Sequence, residues 1–236
     1  MASQSAVPDI VDDSRPQILL LSLDFESYQD QIYDSLWTKL SNQARVQRSK
    51  QAAPTIRYLT TNNPTAILIT DAGIMDPANI DVVKALKAYI SNGGTAILCC
   101  SCSSFMNPSK ADRFFTTHFS LPWKFGNYER TDVYLREEVA VRHLPLGRKG
   151  LEHLPRSYSQ KAVFLKNVSE EGIIYSPRED SMTQSRVFAP RAADTEQTPV
   201  AWVGIEKGWL GYVGDVNGEE GSDSVILAMC GLSASG

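Results

Sequence analysis

Three thiols and three hydroxyls crowd one short segment in the middle of the chain. Cysteines and serines fill positions 99–104, directly after the apolar run 96–98. A short, uniformly apolar run is typical of a central parallel strand that is covered on both faces. Open α/β sheets usually bind ligands at the carboxyl ends of such strands. The segment therefore predicts a pocket with small polar groups, in which Ser103 either contacts a ligand or only stabilises the turn.

Carboxylates follow other predicted strands and are expected at the same edge of the sheet. Asp24 and Glu26 come after the first strand, Asp71 after the third, and Asp215 after a late one. Carboxylates that converge on one crevice raise each other's pKa and serve as general acids or bases. Asp24 and Asp71 are equally suited to capping helices. Both interpretations stay open.

Aromatic and cationic residues form a third set, in a less regular stretch of the chain. Each offers a flat ring or a positive charge, and the members are Trp123, Tyr128, Arg130, Tyr158 and Lys161. An aromatic wall with one or two cations suits a small organic acid or a sugar. Trp123 and Tyr128 suit equally well the packing of this stretch onto the sheet.

The first half of the chain alternates between apolar strands and amphipathic helices. Strands are expected at 17–23, 44–49, 66–70 and 95–98, and helices at 28–41, 52–61 and 77–91. Such alternation with short loops is typical of a parallel sheet with right-handed crossovers. The pattern predicts an α/β fold with a doubly wound, mostly parallel sheet.

The alternation weakens after residue 120. Residues 121–130 are expected to be turn-rich, and strands are expected at 133–141 and 162–168, a hairpin at 198–214 and a last helix at 222–230, capped by Ser222. We interpret 121–200 as a β-rich insert within a single domain that spans 16–236. Residues 1–15 are polar and are expected to form a flexible tail.

Composition argues against several classes of partner and location. A net charge of −4 disfavours nonspecific nucleic-acid binding, which depends on basic patches. No apolar run reaches the length of about 18 residues that a membrane span needs. No basic segment followed by an apolar one marks a signal peptide. Four cysteines, three of them crowded together, favour a reducing compartment over a disulfide framework, so a cytoplasmic location is expected.

Metal-binding patterns are weak. No histidine pair has the spacing of zinc ligands. The acidic run 215–223 superficially resembles a calcium loop but lacks the bidentate glutamate at the twelfth position. No metal and no cofactor are therefore expected.

Two stretches carry a resemblance to a known superfamily. The first, 67–105, includes Thr70-Asp71-Ala72-Gly73, and the second, 208–222, includes Gly214-Asp215-Val216-Asn217. The order of elements around them resembles the class I glutamine amidotransferase-like superfamily. Within it, the chain is most similar to the ThuA-like members.

The resemblance implies specific roles for three residues. It places Cys102 at the nucleophile position of the family, Asp215 at that of the catalytic histidine and Asn217 at that of the glutamate. Because a thiol without an adjacent base is a weak nucleophile near neutral pH, the resemblance implies that glutaminase chemistry has been lost.

The sequence thus predicts a flavodoxin-like α/β domain with a degenerate catalytic site. Its expected function is to bind a small polar or anionic molecule at the strand ends near Cys102. One alternative is a cysteine-dependent hydrolase or lyase that uses Cys102. Another is a structural module that mediates oligomerisation, with a homodimer as the expected form.

Overall fold

The computed structural model describes residues 14–145 and 150–233, so the predicted tail lies, except for Ser14 and Arg15, outside the described residues. Within these ranges nine strands form one mixed sheet, which confirms the α/β prediction. The strands are β1 (Gln17–Leu21), β2 (Arg45–Ser49), β3 (Ala66–Ile69), β4 (Thr95–Leu98), β5 (Lys124–Leu135), β6 (Ser157–Lys166), β7 (Ile173–Ser176), β8 (Val200–Ile205) and β9 (Gly208–Val213).

Helices cover both faces of the sheet. Their bounds are α1 (Tyr28–Ile32), α2 (Asp34–Gln43), α3 (Ala52–Thr61), α4 (Ile80–Ser91), α5 (Ser101–Phe105), α6 (Pro108–Arg113), α7 (Glu137–His143) and α8 (Glu220–Met229). Ile18 and Leu20 of β1 join the core beneath α2 and α8, whereas Leu19 and Leu21 join the core beneath α4 and α6. Burial on both sides explains why this strand is apolar at positions 18–21.

The sheet is parallel in one half and antiparallel in the other. The order β2-β1-β3-β4-β9 is parallel throughout, and β8, β7, β5 and β6 continue it in antiparallel pairing. Strand β6 also contacts residues outside its pairing with β5. Ala162 bridges to Asp215, which follows β9, and Leu165 bridges to Thr198, which precedes β8. Strand β6 of the insert therefore closes over the carboxyl end of β9.

Two sequence-based assignments in the insert are wrong. Residues 133–141 divide into the end of β5 and helix α7, whose acidic start and basic end suit the helix dipole. Much of the predicted turn at 121–130 is the start of β5. The turn signal there came from Gly126, which lies in a register shift between Phe125 and Tyr128 and packs against the Phe164 backbone.

Two helices also begin or break differently from the expectation. The predicted helix 28–41 is interrupted at Tyr33, which separates α1 from α2. Helix α8 begins at Glu220, so Ser222 lies inside its first turn and does not cap it.

Candidate functional site

A strained strand-to-helix turn follows β4. Cys100 has a φ of 57° and a ψ of −134°, and α5 begins at the next residue. A non-glycine residue with such angles costs on the order of 1–3 kcal/mol and persists only where its surroundings enforce it. We call this turn, at Cys100 and Ser101, the elbow of the structure. Cys102, which the resemblance places at the nucleophile position of the family, lies two residues after the strained one, in the first turn of α5.

The thiols near the elbow are enclosed by the core. Cys102 has no exposed surface, and its pKa is raised well above the usual value by burial and then by the nearby Asp71 carboxylate. The pKa of Cys99 is also raised by burial, and further by its neighbour Cys100. A thiol needs a lowered pKa to be a good nucleophile at neutral pH. This environment argues against a nucleophilic role for Cys102.

Tyr33 fills the space beside the elbow. Its side chain is buried, and its hydroxyl lies close to the Ser101 side chain. Burial raises the pKa of this phenol, and the adjacent Cys100 raises it further. Its ring also lies against Gly218, in the segment that follows β9. Tyr33 therefore covers the elbow and separates it from solvent.

Ser103 joins the elbow to the segment after β9. Its hydroxyl donates to the Asp215 carbonyl over 2.9 Å and lies 3.3 Å from the Cys100 carbonyl. Ser103 is buried and thus stabilises the turn. The thiol-rich corner and the late acidic segment meet in space.

Asp215 organises the turn that leads into α8. Its carboxyl group accepts hydrogen bonds from the backbone N–H groups of Asn217, Gly218 and Glu219. The pKa of Asp215 is raised to about 8, mainly by burial and then by a side-chain hydrogen bond with Glu219. Asp215 is therefore largely protonated at neutral pH, and its carboxyl group serves the local fold.

The carboxylates after β1 and β3 hold two loops together. Asp71 accepts through Oδ1 from the N–H groups of Asp24 and Gly73, at 3.1 and 3.0 Å. Burial raises the pKa of Asp71. Glu26 is exposed in the loop before α1, while Asp24 borders a small cavity of about 280 Å³. Of the two residues for which capping was expected, Asp71 fits that interpretation better than Asp24, because its side chain accepts from the Gly73 N–H.

The histidines lie in other surroundings. The rings of His118 and His143 pack against Phe114 and Trp209, each with 5.8 Å between ring centroids. His153 borders a surface groove. Among the described residues, no hydrogen bond or ring contact joins a histidine to the thiols near the elbow.

Four of the predicted binding residues line one large cavity on the antiparallel half of the sheet. Its volume is about 1470 Å³, and it lies between the exposed face of β5 and β6 and the segment 180–191. The predicted residues in its lining are Tyr128, Arg130, Lys161 and Asn217. The sequence predicts a ligand at the strand ends near Cys102, whereas these four residues line a cavity that contains none of the strand-end thiols.

Arg130 and Lys161 are direct cross-strand partners in this cavity. The Arg130 guanidinium donates to Glu219 over 2.5 Å and to Ser159 over 3.1 Å. The Lys161 ammonium lies 5.2 Å from the centroid of the Tyr128 ring. No ion pair within residues 14–145 and 150–233 involves Lys161. Arg130 is thus paired with the Glu219 carboxylate, whereas Lys161 faces the cavity without an ion-pair partner among the described residues.

Trp123 and Tyr158 contribute to packing. The Trp123 ring is buried, with its centroid 5.3 Å from that of Phe115. Tyr158 lies edge-on to Tyr175 at 5.3 Å and has its hydroxyl 3.4 Å from the Ser222 hydroxyl. These aromatic residues pack against other rings and do not line the large cavity, which agrees with the packing alternative for Trp123.

Sequence reasoning missed part of the cavity lining. Asp132 and Tyr134 share the cavity face of β5 with Tyr128 and Arg130. A period of two along β5 would have indicated them, had the strand been recognised. Arg186, in the segment opposite, also lines the cavity and has no ion pair among the described residues. No sequence pattern marked this irregular segment.

Comparisons with known proteins show a fold but no family. No family model and no curated protein matches the chain. A ThuA-like protein from Bacteroides uniformis is similar in structure, with a TM-score of 0.58, 13% identity and 91% of each chain covered. A ThuA-like protein from Parabacteroides merdae gives 0.52 at 10% identity, covering 94% of this chain and 91% of that one. A β-galactosidase from Bacillus circulans sp. alkalophilus gives 0.55 at 9% identity, covering 93% of this chain but 32% of the enzyme.

Metal-binding groups and membrane-spanning helices are both absent from the part of the chain that the structure describes. Within residues 14–145 and 150–233, no three or more histidine, cysteine, aspartate or glutamate side chains form a group that could hold a metal ion. No helix in the same ranges has both the length and the apolar character needed to cross a membrane.

Proposed function

We propose that the protein binds a small anionic molecule in the cavity between β5, β6 and the segment 180–191. The observation that carries this proposal is the pair Arg130 and Lys161, two cations directly opposite each other on neighbouring strands. Like charges in this arrangement destabilise a sheet. Glu219 offsets the charge of Arg130, and an anionic ligand would offset that of Lys161.

The rest of the lining suits a ligand that also carries polar groups. Tyr128 is 56% exposed and offers a ring face, and Asn217 offers an amide. Asp132 and Asp180 lie in the same lining and could accept hydrogen bonds from hydroxyl groups. A hydroxylated organic acid or a sugar phosphate combines these features.

Burial of the elbow supports a binding role over cysteine-dependent hydrolysis or lyase chemistry. Both Cys100 and Cys102 are buried, and Tyr33 fills the adjacent crevice. Burial raises the pKa values of Cys99 and Cys102, and the carboxylates of Asp223 and Asp71 raise them further, so a thiolate is disfavoured at both positions. In this proposal, the residues at the elbow stabilise the fold and do not catalyse a reaction.

We also propose that the chain is a divergent member of the class I glutamine amidotransferase-like superfamily, in its ThuA-like branch. Three observations support this assignment: the flavodoxin-like order of the parallel strands, the strained elbow at Cys100, and the similarity to two ThuA-like structures. The cytoplasmic location expected from the cysteine content belongs to the same proposal.

Binding can be tested with protein labelled with ¹³C at the methionine methyl groups. Met182 lines the proposed cavity, so its signal reports on occupancy there. Glucose 6-phosphate, gluconate and citrate serve as probes, with glucose as the uncharged comparison. We expect at least one anion to shift the Met182 signal in a saturable way and glucose to shift it less. If none of the anions shifts it, or glucose shifts it equally, the proposal fails.

A second candidate function is oligomerisation, favoured by apolar side chains at the rim of the cavity. Val187 is 82% exposed and Phe188 is 76% exposed. Exposed apolar side chains next to each other often mark protein interfaces. Light scattering at micromolar concentration tests this candidate. A homodimer that Phe188→Ser converts to monomer would support it, and a strict monomer would contradict it.

A further inference from the structure

A second cavity, of about 390 Å³, lies on the parallel half of the sheet. Its walls are the start of α4, the 3-10 turn Ala72–Met75, helix α6 and the π-helical turn Phe114–His118 that follows α6. It shares no lining residue with the cavity between β5, β6 and 180–191. Any ligand of this second cavity is therefore separate from that of the proposed function.

The interior of the second cavity is apolar. Buried core residues Ile74, Met75, Val83 and Phe114 line it, and Ile80 extends the apolar wall to the surface. A core surface that opens onto a cavity of this size is typical of a small-molecule site. Single-turn π-helices also occur frequently at functional sites. The shape and the lining both suit a compact apolar group.

Positive charge is concentrated at one side of the opening. Lys110 and Arg113 both line the cavity and lie three residues apart, on one face of α6. Lys110 is 3.8 Å from Asp76, and both side chains of this loose pair are half exposed. Arg113 has no ion pair within residues 14–145 and 150–233.

The remaining titratable group in the lining adds little charge. Burial lowers the pKa of His118, and the nearby Lys87 lowers it further, which favours the neutral imidazole. The positive charge of the opening therefore comes from α6. It exceeds the single negative charge of Asp76 by one.

We propose that the second cavity binds a small amphipathic carboxylate, such as an aryl or short alkyl acid. The apolar body packs against Met75, Val83 and Phe114. The carboxylate accepts hydrogen bonds from Lys110 and Arg113, whose planar guanidinium suits a bidentate contact.

The same methionine-labelled protein tests this proposal with a matched pair of probes. 4-Phenylbutyrate carries the carboxylate, and 4-phenyl-1-butanol has the same apolar body without the charge. We expect the acid to shift the Met75 signal, leave the Met182 signal in place and bind about tenfold more tightly than the alcohol. Equal binding of both probes, or no shift at Met75, would overturn the proposal.

Variants that lack the charges of Lys110 and Arg113 test whether these residues cause the preference for the acid over the alcohol. The double variant Lys110→Gln/Arg113→Gln changes two side chains at the mouth, so the fold should persist, and thermal unfolding checks this. We expect it to bind the acid no better than the alcohol. Lys84→Gln is the control, because Lys84 is an exposed lysine on α4 outside the lining and should leave the preference intact. If the double variant keeps the preference for the acid, the assigned charges are not those that bind it.

Discussion

The hydroxyl of Ser103 donates to the carbonyl of Asp215 over 2.9 Å and so ties the turn after β4 to the segment after β9. This bond lies at the carboxyl edge of the parallel strands, where α/β sheets usually bind ligands. Beside Cys100 this edge is filled by buried side chains, among them Tyr33, and β6 closes over the end of β9. Ligand binding is therefore expected elsewhere, in cavities that the insert and the peripheral helices build.

The burial of the thiols leads to an expected lack of reactivity. All four cysteines are free and buried. We expect a chromogenic disulfide reagent at pH 8 to modify the native protein at least roughly a hundredfold more slowly than the unfolded chain, because each thiol must wait for local opening. One fast thiol in the native protein that is lost in Cys102→Ser would contradict this and support the cysteine-dependent enzyme.

Removal of the Tyr33 ring should expose the elbow. Tyr33 is buried against Gly218, and its hydroxyl lies close to Ser101. We expect Tyr33→Ala to gain one fast thiol in the same assay, and Tyr33→Ala/Cys100→Ser to lose it again. Tyr33→Phe is the matched control, because it keeps the ring and should keep the thiols slow. Slow thiols in a folded Tyr33→Ala variant would show that Tyr33 is not the barrier.

The strained backbone at Cys100 predicts an inverted order of substitutions. Glycine adopts a positive φ without strain, whereas alanine retains the strain. We expect the free energy of unfolding in urea to be about 1 kcal/mol higher for Cys100→Gly than for Cys100→Ala. At Cys99, which has no positive φ, the glycine variant should be the less stable one. The same order at both positions would argue against strain at the elbow.

The raised pKa of Asp215 predicts a loss of stability as the pH rises. Below about pH 4 the carboxyl group is protonated in both states. Between there and its folded pKa of about 8, the folded state retains a proton that the unfolded state has lost. The free energy of unfolding must then fall with increasing pH across this window.

Urea unfolding at pH 5 and pH 8 measures this effect. From pH 5 to pH 8, we expect the wild type to lose on the order of 4 kcal/mol more than Asp215→Asn, which has no proton to release. Asp81→Asn, at an exposed carboxylate, is the control and should behave as the wild type does. Identical pH dependence of Asp215→Asn and the wild type would rule out the buried proton.

Much of the parallel half could be predicted from sequence, because its strands are short apolar runs between clear turn residues. The strained φ at Cys100 leaves no mark in the sequence, so the strained residue of the turn after β4 could not be located there. In the insert, Gly126 contributes to the turn-rich pattern of 121–130, but in the structure it lies in a bulge inside β5. Local patterns do not distinguish these cases, because the pairing partner decides them.

The sequence predicts several residues of the candidate site but not how they are arranged in space. Tyr128, Arg130, Lys161 and Asn217 do come together, because β5 pairs with β6 and β6 closes onto the end of β9. The pairing of distant strands is a tertiary property, so the sequence could not separate these residues from the strand-end carboxylates. For the same reason it could not reveal the role of the segment 180–191.

The most direct measurement of the central claim is a titration of the best-binding anion from the probe panel into three proteins, followed at the Met182 methyl signal. Lys161→Gln removes the cation that faces the cavity, and Lys166→Gln removes an exposed lysine of the same strand outside the lining. We expect Lys161→Gln to weaken binding about tenfold or more and Lys166→Gln to leave it unchanged. Equal affinities of all three proteins for the anion would contradict the account.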